Sequence, residues 1–261
     1  MTTPDVPFFD EFGRRVPPPG LQSAHHRQTR RWFIPVQPEI DFGAIHTRTQ
    51  ACLGSAGLPS ATAFEQQARA LLAGLRDDPR LRPVLNGVHV PFLLPKASPG
   101  DIGTTLEEVY LPALGRAFCQ AWPDYRFVNH HPTGLSGKLS PAPGSRHEQL
   151  LGAMQQGPVV GWYFPCLLEY SVPASLEQMG DLPGSFLLGG GFDTCAAFIG
   201  SPDLLLRKDG YPPLLWLAGL EGEHTGVGYH FEAYGYNLTF NRRTHLNQAA
   251  EYWASALVVV G

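Results

Sequence analysis

The sequence predicts an α+β fold in a single domain, with a mixed or mostly antiparallel sheet, about four helices and an extended N-terminal arm. Three observations carry this: apolar runs bounded by Gly or Pro, amphipathic helical stretches that do not alternate strictly with those runs, and a Pro- and aromatic-rich first 35 residues. No self-similarity at a period of 20–50 residues and no low-complexity linker divides the chain, so residues 1–35 read as arm and 36–261 as one domain.

In the arm, Pro4, Pro7, Pro17, Pro18 and Pro19 impose extended backbone, while Phe8, Phe9, Phe12, Trp32 and Phe33 are apolar anchors on it. Five large aromatics do not suit a solvated tail, so the arm is expected to lie across the domain or dock on a neighbouring subunit. Arg14, Arg15, Arg27, Arg30 and Arg31 beside His25 and His26 make it locally basic, as a solvated face would be.

The first helix is expected over 61–76, where Phe64, Ala68, Leu71, Leu72 and Leu75 fall on one face behind a Ser60 cap. A second covers 104–121, with Thr104 and Glu107 as a capping box and Pro112 marking a kink or restart. Ser145 and Glu148 open a third, ending near 156, and Thr244 caps a last one through Leu246, Ala249, Ala250 and Trp253. Strands are expected at 84–94, 158–165, 185–199, 213–219, 227–240 and 256–260.

A formal charge of −4 gives no basic footprint for nucleic acid and no polybasic patch for a membrane surface. No run of 18 or so apolar residues suggests a membrane span, and the opening residues lack an export-signal pattern. Cys52, Cys119, Cys166 and Cys195 are far apart in apolar surroundings, as thiols buried in a reducing, cytoplasmic compartment would be. Charged residues make up only 16% of the chain, so copies of it are weakly kept apart and a homo-oligomer or protein complex is expected.

The segment richest in chemistry runs from Glu221 to Phe240. As a strand, 229–240 would put His230, Glu232, Tyr234 and Tyr236 on one face, with Asn237 on the other. Such a row suits acid–base work, with His230 as base, Glu232 orienting it and Tyr234, Tyr236, Asn237 or Asp193 binding substrate. It equally suits a solvent-facing strand with no chemistry. His224 and His230 could meet across the Gly226–Gly228 turn, but no metal-ligating spacing completes a site; the H-x-E at His230 lacks its downstream P-C-x-x-C.

His130 and His131 follow a short strand into a loop, where binding side chains are common, though Asn-His-His-Pro is also ordinary turn chemistry. Gly189-Gly-Gly191 with Asp193 has neither phosphate-loop nor dinucleotide spacing. Ser136 lacks the G-x-S-x-G elbow. No cofactor is named by any of these patterns. The expected function is a binding or assembly protein acting through the arm and a weakly charged surface; the alternative is a small-molecule enzyme, a hydrolase, built around His230.

Overall fold

A computed structural model describes residues 7–26, 33, 35–206 and 211–261. Pro4, Arg27, Arg30, Arg31 and Trp32 fall outside them. The architecture is α+β. The main sheet runs β1 (Val90–Leu94), β4 (Val159–Leu168), β10 (Trp253–Val260), β6 (Leu214–Trp216), β8 (Gly228–Tyr234), β9 (Asn237–Arg243), β2 (Phe127–Asn129), and β5 (Phe186–Leu188) shares the β6 edge of β10. Only β10–β6 and β2–β9 pair parallel; the other pairings are antiparallel. A separate ribbon joins β3 (Leu139–Pro141) to β7 (Leu220–Gly222).

The apolar runs exist because the central strands are covered on both faces. Tyr163 of β4 and Ala254, Ala256 and Val258 of β10 enter one core, while Val160, Trp162 and Phe164, with Trp253, Leu257 and Val259, enter the other. Against the first core lie α3 (Ile102–Thr105), α4 (Leu111–Ala121), α5 (His147–Gln156) and α7 (Gly191–Gly200). Against the second lie α2 (Ala61–Asp77), α6 (Val172–Glu177) and the N-terminal segment, while α1 (Phe42–Leu53) sends Ile45 into it.

The helix expected over 61–76 forms, and Ser60 Oγ accepts from the Ala63 N–H as its cap. The helix expected over 104–121 starts earlier, because the Asp101 carboxylate accepts from Thr104 N and caps it. Glu107 instead reaches the N–H of Leu135, so the Thr104–Glu107 capping box does not form. A π-helical turn at Leu106–Tyr110 joins α3 to α4, and Pro112 takes the first turn of α4, where no N–H is missed.

Three expectations are corrected. The 185–199 stretch is not one strand: β5 stops at Leu188 and the rest is α7, every residue of which is buried. The helix expected behind Thr244 does not form; His245 adopts a left-handed φ of 69°, turns follow, and Trp253 opens β10. The 227–240 strand is a hairpin, broken at Gly235 and Tyr236 with φ of 56° and 66°, the left-handed pair that a two-residue hairpin turn requires. With α1, α6 and α7 added, there are more helices than the four expected.

The described N-terminal residues lie across their own chain. Phe9 is fully buried with its ring 5.9 Å from Phe186, and Tyr170 Oη donates to the Arg15 carbonyl. Arg15, expected on a solvated face, is buried and pairs with Asp181. Its main-chain N–H donates to Cys166 O, and His26 N–H donates to Glu169 O. Truncating the Phe9 ring removes a buried aromatic that cannot be replaced by water. Phe9→Ala is expected to lower unfolding free energy by about 3–5 kcal/mol in a urea melt, and a loss under about 1 kcal/mol would mean that this segment is not part of the core.

Candidate functional site

The hairpin turn decides what the His230 face contains. Cross-strand pairs of β8 and β9 are His230↔Asn241, Glu232↔Thr239 and Tyr234↔Asn237. Residues directly opposite share a face, so Asn237 joins the His230 row that the sequence reading set it apart from. Tyr236 leaves that row for the turn, where its ring lies 5.3 Å from Tyr125, and Tyr234 stands 79% exposed at the tip. Asn237 Oδ1 accepts from Arg126 N.

His230 itself is 1% exposed, because Trp216 of the neighbouring β6 packs edge-on over the imidazole at 5.3 Å. Its Nε2 lies 3.6 Å from Glu232 Oε2, and Arg243 stands 3.8 Å from the same oxygen. Burial lowers the His230 pKa and outweighs the raising effect of Glu232, so the ring is neutral at pH 7. Glu232 is held below its ordinary range by the His230 ring and further by Arg243, against its own partial burial. A carboxylate beside Nε2 favours the Nε2–H tautomer, which leaves the lone pair on Nδ1, and Nδ1 is buried with no hydrogen-bond partner. The pair forms, and a protein wall closes its basic nitrogen.

His130 and His131 approach this face from the end of β2. His130 N–H donates to Phe240 O, and His131 Nε2 sits 3.2 Å from Oδ1 of Asn241, the cross-strand partner of His230. His131 is lowered chiefly by burial, with smaller contributions from His130 and His230, and His130 also lowers His230. His224 pairs with Glu223 at 2.8 Å in an exposed turn and lines a cleft of about 240 Å³ with Leu246 and Val227.

Asp193 is on the other side of the sheet. Phe231, next to His230 and pointing oppositely, packs 5.2 Å from Phe198 of α7, the helix that Asp193 opens. Both Asp193 oxygens accept from the Gly190 N–H, and burial raises its pKa against the lowering effect of the His147 ring and of that N–H. It caps a buried helix and does not meet His230. The sequence reading missed His147, which is 1% exposed with Nε2 unpartnered; a Cβ on Gly190 would come within 2.3 Å of its ring.

A cleft of about 380 Å³ that no sequence motif indicated lies between the N-terminal segment and the sheet edge. It is lined by Phe12, Gly13 and Arg14, by Leu85, Val88 and His89 ahead of β1, and by Pro165, Cys166 and Leu168 of β4, with Pro35 and Gln37. Its cause lies in the register: β1 meets β4 only from Val90↔Tyr163 onward, so among the described residues the far half of β4 has no strand on that side. The N-terminal segment bridges the gap instead. Gly13 at φ 77° approaches so closely that a Cβ there would meet Gly87 N at 2.3 Å. Burial lowers the His89 pKa and pushes the Cys166 thiol up to about 12.

Among the described residues, no group of three or more His, Cys, Asp or Glu is arranged to hold a metal ion. No family model, curated protein or solved structure matches the chain.

The lowered pKa values of His89, His131 and His230 fix a sign. The unfolded chain takes up protons near pH 6.5 that the folded chain refuses, so stability falls as pH drops through that range. Urea midpoints should decline from pH 7 to pH 5.5, and less steeply in His230→Gln; equal slopes in the two proteins would show that His230 is not held neutral.

Proposed function

We propose that this protein is a non-catalytic binding protein whose ligand occupies the cleft between the N-terminal segment and the edge of β4. The observation that carries the reading is the cleft itself: about 380 Å³, mostly apolar in lining, with a few polar groups at its sides. That is the size and character of small-molecule sites in general. The aromatics of the N-terminal segment support it in a way the sequence did not foresee, since Phe9 is anchored in its own chain and Phe12 forms a wall of the cleft.

The reading extends to a cytoplasmic setting and to association with copies of the chain or a larger complex, without nucleic acid or membrane. Four free cysteines support the first, although Cys119 is exposed and not buried as its neighbours suggested. Exposed Tyr211, Tyr234 and Tyr236 on a surface poor in charge support the second. Net charge supports the third, and among the described residues no helix is long and apolar enough to cross a membrane. A hydrolase using His230 is the second reading. The 3.6 Å approach to Glu232 favours it, and a catalytic base that is 1% exposed stands against it.

The uncharged dye N-phenyl-1-naphthylamine is small enough for the cleft and fluoresces when it leaves water. Titrated into the native chain, it should saturate at one site, and Val88→Trp or Leu85→Trp, which fill the cleft from its β1 side, should abolish that signal while the thermal melt stays cooperative. Undiminished dye binding in both folded variants would overturn the assignment of the site. His230→Gln should bind the dye as the unaltered chain does.

A further inference from the structure

We infer that the cleft takes an uncharged molecule with an apolar body and one hydrogen-bond donor at its head, oriented by His89 Nε2 as acceptor. This rests on the binding reading above and goes beyond it by naming the ligand class and the residue that selects it.

His89 is fixed on every side but one. Its main-chain N–H donates to Gln37 Oε1 at 2.9 Å, and its carbonyl accepts from Gln37 Nε2 at 3.0 Å. The ring lies 5.4 Å from Trp162 and stacks on Phe164 at 6.1 Å. Nδ1 is 2.8 Å from the Gly87 carbonyl, which can only accept, so the proton is on Nδ1. A neutral ring then carries its lone pair on Nε2. That atom has no protein hydrogen-bond partner among the described residues, and the residue lines the cleft. A rigidly held acceptor in an apolar wall is how such sites orient a ligand.

The other polar side chains of the lining, Arg14, Asn86 and Gln37, each have a protein partner. Arg14 Nε donates to Asp10 Oδ2 at 2.8 Å and its NH2 nitrogen lies 2.7 Å from the same oxygen, so its charge is matched. Asn86 Nδ2 donates to Glu11 O at 3.2 Å. Gln37 is engaged with His89 as above. Cys166 keeps its proton, since burial pushes its thiol up to about 12. Within the lining, an anion would shed water and meet no cation without a carboxylate partner, and a cation would meet no carboxylate; Arg76, outside the lining, is near enough to disfavour protonation of His89. At about 380 Å³ the space is about a dozen times the share of one water in the liquid, about 30 Å³. It holds a molecule of one to three rings.

Three probes of matched size separate the possibilities in calorimetric titrations of the full chain at pH 7.5: 4-butylphenol, butylbenzene and 4-butylbenzoate. The phenol should bind one to one, about five- to tenfold tighter than butylbenzene, the effect of one net hydrogen bond, and the benzoate weakest of the three. His89→Phe keeps the size and the stacking; it should retain butylbenzene binding and erase the preference for the phenol. In the unaltered protein, the Nε2 nitrogen resonance of His89 should move on adding 4-butylphenol and stay in place with butylbenzene, a readout that does not require the variant to fold. Equal binding of phenol and butylbenzene with a motionless Nε2 resonance would overturn the role of His89 and leave the cleft as a site. Tightest binding of the benzoate would overturn the uncharged class, and no binding by any probe would remove the cleft reading itself.

Discussion

Burial of the main sheet on both faces is the constraint from which the rest of the molecule follows. Strands β4 and β10 present apolar side chains in both directions, so each needs a layer of helix or loop on either side. Polar main chain can then face outward only at edges, and the one long strand that outruns its neighbour, β4 beyond Tyr163, is where an edge would be left bare. The N-terminal segment covers it with two main-chain hydrogen bonds, at Cys166 and Glu169, and with the buried Arg15 guanidinium, which pairs with a half-exposed Asp181. A bridge made of a turn and a few contacts cannot fill space as a paired strand does. The cleft is the space left over, which is why it is apolar and why its polar side chains other than His89 are already engaged.

What the sequence conveyed was local periodicity. Helix α2 was legible because Phe64, Ala68 and Leu75 recur on one face while the other meets water. Helix α7 was not, since a helix buried on all sides has no polar face, and Phe186 to Ile199 read as a continuous apolar run. The stretch behind Thr244 failed in the opposite way. Leu246, Ala250 and Trp253 are anchors on the second core at helical spacing, yet a left-handed His245 and the start of β10 at Trp253 itself leave no room for a helix. Tertiary packing set the anchors, and their spacing was coincidental.

The same division holds for function. Alternation correctly put His230, Glu232 and Tyr234 on one face of β8, because that is a property of the pleat alone. It could not show that Trp216, from a strand distant in sequence, closes that face over His230, nor that Tyr236 turns away because two consecutive residues take left-handed φ. The cleft is wholly non-local. Its walls come from residues 12–14, 35–37, 85–89 and 165–168, and no spacing within any one of them announces it.

Two neutral imidazoles make the case for recognition over turnover. Both His230 and His89 pack on a tryptophan and both resist protonation because they are buried. His230 has the carboxylate that a general base needs, but its free nitrogen is sealed. His89 lines a cavity with a free nitrogen, but its orienting partner is the Gly87 carbonyl, which cannot stabilise an imidazolium as a carboxylate does. Cys166 in the same lining keeps its proton, because burial pushes its thiol up to about 12, and Asp10 is already matched by Arg14. Among the described residues, orientation and access are therefore divided between two sites, and that division is what favours the proposed reading of recognition over turnover.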